Sequence, residues 1–156
     1  MTQITLKPEL TNLYETDYLA WIELTVAKLR SPDLAKLNPD IDWENLIEEI
    51  EDMGKSSRNS LKSNLRIIFL HLLKWQYQSD RRSRSWQSSI IEHRLRIYDA
   101  FAESPSLKRY FSEVFNDAYA GAIQLASSET GLTQKTFPKV CPYSQNQVLD
   151  ADFLPN

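Results

Sequence analysis

Glycine occurs at only three positions of this chain, Gly54, Gly121 and Gly131, and never twice in one turn. A fold made of many tight turns needs residues that reach positive φ, and glycine does so without steric cost. All-β architectures and glycine-rich dinucleotide folds are therefore disfavoured. Helices are what remain.

The apolar residues repeat with helical spacing. Leu19, Ile22, Val26 and Leu29 recur at three- and four-residue steps, with Tyr18 and Trp21 widening the stripe. Asp17 suits the positive N-terminal end of this helix, and Ser31-Pro32 stops it. After an Asn38-Pro39 turn, Asp42 is placed to cap a second helix whose buried stripe is Trp43, Leu46, Ile47, Ile50 and Met53. Gly54 is read as its stop or as a kink. Leu61, Leu65, Ile68, Leu72 and Trp75 then form a core seam that marks a central helix. The stretch from Tyr77 to Arg84 reads as a loop, and Ser83 or Ser85 can cap a fourth helix carrying Trp86, Ile90, Ile97 and Phe101. Ser104-Pro105 has the form of a helix start, a capping serine followed by proline at the first helical position. From it runs a stripe of Leu107, Phe111, Val114, Ala118, Ala122 and Leu125, and Gly131 ends this helix or the turn after it. An extended tail from about residue 132 leads to Ser144 and Gln147, a capping box for one short final helix. The expected architecture is an all-α single domain over residues 1–156, a bundle of about five helices plus that short C-terminal one.

Cys141 is the only cysteine, so no disulfide forms within the chain. Met1 to Leu6 lacks a basic segment followed by an apolar stretch, so no signal peptide is read. The longest apolar run, Ile67 to Leu73, is broken by His71 and too short to span a bilayer. No membrane association and a cytoplasmic location are the expectations.

A set of local motifs resembles one family. They are Trp43-Glu44-Asn45-Leu46-Ile47-Glu48-Glu49-Ile50-Glu51-Asp52-Met53-Gly54, His71-Leu72-Leu73-Lys74-Trp75-Gln76-Tyr77-Gln78, Arg81-Arg82-Ser83-Arg84-Ser85-Trp86, Ser104-Pro105-Ser106-Leu107, Glu129-Thr130-Gly131-Leu132, Phe137-Pro138 and Cys141-Pro142-Tyr143-Ser144. Together they resemble the bacterial, largely cyanobacterial family catalogued as domain of unknown function 29, from about Tyr14 to Pro155. The resemblance implies a helical bundle in a bacterial cytoplasm. It carries over no activity and no functional residue.

Charge is distributed unevenly. Residues 1–54 hold twelve acidic groups against four basic ones, and residues 55–109 hold twelve basic against four acidic. One reading is that the basic middle meets a polyanion; the plainer one is that acidic helix and basic middle neutralise each other. Within the middle, Arg81, Arg82 and Arg84 alternate with serines between Trp75, Tyr77 and Trp86. Guanidinium groups fit phosphate and exposed aromatics stack on bases, so Arg58, Lys74, Arg81, Arg82 and Arg84 are the candidate nucleic-acid contacts. The two tryptophans also fall on apolar stripes, where they serve a core instead.

Glu48, Glu49 and Asp52, with His71, are the candidate ligands of a divalent ion in a hydrolase or nuclease. Against this, the Glu-x-x-His pairs of di-metal bundles are missing and Glu48 and Asp52 point away from the apolar stripe. A solvated or ion-paired flank is the simpler account. His71 and His93 read as hydrogen-bonded histidines on apolar faces, and Cys141 as a packed thiol. No catalytic residue is assigned and no cofactor is expected, because no nucleophile elbow, P-loop or dinucleotide fingerprint occurs. The leading expectation is a non-enzymatic module that binds another protein or its own copy, with nucleic-acid binding and then metal-dependent hydrolysis behind it.

Overall fold

The structure of the chain, a computed structural model, describes residues 8–156. The Met1 to Leu6 segment read above for a signal peptide lies outside the described residues. Among the described residues all regular structure is helical and no strand occurs. In chain order the α-helices are α1 (Pro8–Thr16), α2 (Tyr18–Leu29), α3 (Leu34–Leu37), α4 (Trp43–Tyr77), α5 (Arg84–Glu103), α6 (Lys108–Thr130) and α7 (Gln145–Leu149), with 3-10 turns at Ser79–Arg81, Pro105–Leu107 and Gln134–Thr136. No described helix is long and apolar enough to cross a membrane. The all-α reading is correct in class. Two details differ: α1 and α3 were not foreseen, and two helices expected on either side of Gly54 are one helix of 35 residues.

Gly54 does not stop α4, which runs through it from Trp43 to Tyr77. A mid-helix glycine costs about 1 kcal/mol against alanine, and the surrounding Glu, Asp, Met and Lys residues carry the helix through it. Leu19 and Ile22 of α2 pack over the glycine, and a Cβ there would stand 3.4 and 3.5 Å from them.

The contacts divide the described residues into two compact units, each described by itself. The first comprises the described part of Met1–Asn59 with Ala100–Lys108. Its core joins Ile22 and Val26 of α2 to Ile47 of α4, with Tyr18, Trp21, Leu29 and Ile50 at the margin. Tyr14, Tyr18 and Trp21 extend this as an aromatic cluster, Tyr14 meeting Trp21 edge-on at 5.0 Å. Asp17 caps α2 as expected, its Oδ1 accepting from the Ala20 amide at 3.0 Å. The Ser104-Pro105 helix start, however, works differently from the sequence reading. The Ser104 hydroxyl makes no cap bond to its own helix. It accepts from the Leu19 amide at 3.0 Å, satisfying the first turn of α2 instead. Ser106 donates back to Asp17 through its amide at 2.8 Å and its hydroxyl at 2.7 Å. The two helix starts therefore hold each other.

Not every residue of the predicted α4 stripe is buried. Ile47 and Gly54 face α2, but Leu46 is 41% exposed and Met53 46%. Both sit about 100° around the helix from Ile47, on the edge of the stripe. That edge is uncovered.

The second unit comprises Ser60–Asp99 with Arg109–Asn156. Leu61, Leu65, Ile68, Phe69, Leu70, Leu72 and Leu73 of α4 are buried in it, confirming the expected seam. Phe69 meets Phe115 and Tyr119 of α6 edge-to-face at 5.0 and 5.5 Å. On α6 the buried set is Phe111, Phe115, Ala118, Tyr119, Ala122 and Ala126; Leu125, placed in the core from sequence, lies at the surface. The bulk of Phe115 and Tyr119 turns the buried face away from Leu125. Gly131 ends α6 with φ of 75°, the left-handed conformation that favours glycine at this position. The tail is fastened by Tyr119, whose hydroxyl donates to the Pro138 carbonyl at 2.6 Å, and by Tyr143, whose hydroxyl donates to Gln76 Oε1 at 2.6 Å. Ser144 and Gln147 form the expected capping box of α7.

Candidate functional site

The charge asymmetry of the sequence sorts with the units. The first holds thirteen acidic residues against seven basic ones, and the second eleven basic against eight acidic. Ion pairs absorb part of each excess. In the first unit Arg30 meets Glu51 at 2.9 Å, Lys55 meets Asp52 at 3.3 Å, and Arg58 meets Glu23 at 3.7 Å. Glu44, Glu48 and Glu49 are exposed and join no ion pair among the described residues. Beside them a cleft of about 300 Å³ is lined by Arg30, Glu44, Ile47, Glu48, Glu51 and Lys55.

The five candidate nucleic-acid contacts behave in different ways. Arg58 is engaged with Glu23 in the first unit. In the second, Lys74 pairs with Glu129 at 2.6 Å and lies 4.6 Å over the Trp86 ring. Arg82 is stacked 5.0 Å over Trp75 and donates to that residue's carbonyl at 2.9 Å. The tryptophans are thus half-buried platforms for the protein's own cations. Arg81 and Arg84 are exposed and join no ion pair among the described residues. Arg84 opens α5, and one stripe of that helix continues through Ser88 to Ile91 and Leu95, which are 47% and 49% exposed.

Of the candidate metal ligands, Glu48, Glu49 and Asp52 belong to the first unit and His71 to the second. Among the described residues no group of three or more His, Cys, Asp or Glu side chains is arranged to hold a metal ion. His71 is half-buried with its Nδ1 shielded and unpartnered. Burial, reinforced by the neighbouring Lys74 charge, lowers its pKa to about 4, so it is neutral near pH 7. His93 bonds the Ser89 carbonyl of its own helix through Nδ1 at 2.7 Å. Burial pushes the Cys141 thiol up to about 11, which keeps it protonated and unreactive.

Sequence reading overlooked Arg94. It is 2% exposed, and its guanidinium donates to the carbonyls of Val148 at 2.9 Å, Phe153 at 3.0 Å, and Gln147 and Ala151 at 3.4 Å. Among the described residues no carboxylate is bonded to it. The arginine donates to carbonyls at the end of α7 and beyond it, and so holds the last residues of the tail. Its signal was present: Arg94 lies four residues after Ile90 and three before Ile97, on the core stripe of α5. Also overlooked were the exposed apolar edges, Leu46 with Met53 and Ile91 with Leu95, because a periodicity marks a face without showing what covers it.

No curated protein and no solved structure matches the chain. A family model described as domain of unknown function DUF29 matches residues 13–154. That span contains every motif quoted above, and this protein belongs to the DUF29 family.

Proposed function

We propose that the chain is a protein–protein interaction module that performs no catalysis of its own and binds through the uncovered edge of α4. The observation that carries this reading is the pair Leu46 and Met53, 41% and 46% exposed on one edge of the helix two turns apart, with Glu49 between them along the axis. Apolar side chains held in water gain free energy when a partner covers them. Methionine is well suited to such a surface because its flexible thioether adapts to the partner's shape. The neighbouring carboxylate of Glu49 favours a partner with a basic rim, since charge complementarity governs encounter and specificity. The single half-buried cysteine, without a disulfide partner, accords with a reducing cytoplasm.

A photo-crosslinking amino acid at position 53 of the full chain, expressed in its host cell, tests the reading. It should give a discrete protein adduct, and the same group at exposed Ser128 should not. Absence of an adduct at 53, or equal labelling from both positions, would overturn it.

A second reading has its own observation: Arg81 and Arg84 are exposed beside the Arg82–Trp75 stack and have no carboxylate partner among the described residues. If they bind nucleic acid, single-stranded DNA should associate at low salt and dissociate steeply as salt rises, through counterion release. Replacing both by alanine should remove binding without lowering the melting temperature.

A further inference from the structure

We propose that the second unit holds a small organic anion with an apolar body, a carboxylate on a hydrocarbon chain, in a cleft between α6 and the tail; this site is independent of the α4 edge. The cleft measures about 530 Å³ and is lined by Ile123 of α6 and by Gln134, Lys135, Phe137, Pro138 and Lys139. That volume suits a small molecule. The tail side of the cleft is fastened in place. Phe137 is buried and meets Tyr77 edge-on at 5.2 Å, and the Pro138 carbonyl accepts from the Tyr119 hydroxyl of α6 at 2.6 Å. Ile123 and Pro138 are half-buried, so apolar surface remains within reach of an occupant.

Charge selects the occupant. Lys135 and Lys139 are exposed and join no ion pair among the described residues. No lining residue is acidic. Residues 118–149 contain only one further charged group, Glu129, and Lys74 engages it at 2.6 Å. Earlier on α6, Asp117 meets Lys62 at 3.6 Å. From α4, Tyr77 reaches Phe137, and in the loop that follows Asp80 is outnumbered by Arg81, Arg82 and Arg84. The neighbourhood therefore repels cations and attracts anions. Its apolar lining rewards a hydrocarbon body, which inorganic phosphate lacks. Lysine suits such a mouth, because its stem covers apolar surface while its ammonium stays in water to meet a carboxylate.

Calorimetry on the full chain with decanoate, kept below the concentration at which it forms micelles, tests this. One decanoate should bind per chain, with an affinity that falls as salt rises. Lys135→Gln with Lys139→Gln should weaken it about tenfold, since two surface charges are lost. Arginine at both positions should retain it, and Arg81→Gln with Arg84→Gln should leave it unchanged. Decanol, which has the chain without the charge, and inorganic phosphate, which has charge without the chain, should each bind about tenfold more weakly or not at all. Both lysines are exposed, and an unchanged melting temperature verifies that each variant is folded. No heat from decanoate would overturn the proposal, as would undiminished binding by the double-glutamine variant, loss of binding in the arginine pair variant, or equal binding of decanol or phosphate.

Discussion

Replacing Arg94 by methionine keeps most of the buried volume and deletes the guanidinium, and the cost can be worked from its bonds. Two of the four, to Val148 at 2.9 Å and Phe153 at 3.0 Å, have good length, and two at 3.4 Å are weak. Hydrogen bonds from a charged donor contribute about 1.5–3 kcal/mol each, so the two good ones amount to roughly 3–6 kcal/mol. Against this, burial lowers the Arg94 pKa, a sign that holding the charge there already costs free energy that the variant recovers. Gln147 and Ala151 are exposed, so water can reach part of the released set of carbonyls. The expected net loss is about 2–4 kcal/mol. Urea denaturation measures that loss, and hydrogen exchange locates it. The amides of Val148, Asp150 and Phe153, bonded to Ser144, Gln147 and Asp150, should lose protection first. Arg94→Lys keeps the charge but not the fork, and should recover less than half of the loss. A destabilisation below about 0.5 kcal/mol with unchanged exchange in the tail would refute the reasoning, because surface substitutions do no more than that.

Gly54→Ala should stabilise the protein by about 0.5–1 kcal/mol, since the new methyl meets Leu19 and Ile22 at ordinary contact distance and helix propensity improves; a lowered urea midpoint would contradict this. Gly131→Ala should destabilise by about 1 kcal/mol, because its φ of 75° is strained for any side chain, and thermal melting reads it. His71 has a folded pKa of about 4 against an ordinary value of 6.5. The unfolded chain therefore takes up the proton first, and stability fully present above pH 6.5 is lost as pH falls through 4. Discounted for solvent screening of this half-buried ring, free energies of unfolding for wild type and His71→Leu should diverge by about 1–2 kcal/mol across that window, with only the wild type's contribution falling. Asp17→Ala removes the α2 cap and both Ser106 bonds and should cost about 1–2 kcal/mol by denaturation.

The legible part of this fold was the part decided by periodicity and short-range chemistry. The stripes of α2 and α4, the Asp17 and Asp42 caps, the Ser144 capping box and the Gly131 stop all depend on residues within four positions of one another. What escaped depends on partners distant in sequence. Where the Ser104 hydroxyl turns is decided by Leu19, 85 residues away. What Arg94 does depends on the carbonyls of Gln147, Val148, Ala151 and Phe153, which lie 53 to 59 residues further along the chain. The candidate site follows the same division. Charge blocks are visible in composition, but that Lys74 is spent on Glu129 while Arg81 and Arg84 are not is a matter of tertiary geometry.

A protein labelled at the methionine methyl groups carries a reporter on the α4 edge at Met53. This gives the most direct test of the interaction module. As concentration is raised from micromolar to millimolar, and again on adding extract of the host cell, the Met53 methyl resonance should shift or broaden. Leu46→Lys should abolish the response. A Met53 resonance that stays sharp and unmoved in both titrations would contradict the account, because that surface would then be facing only water.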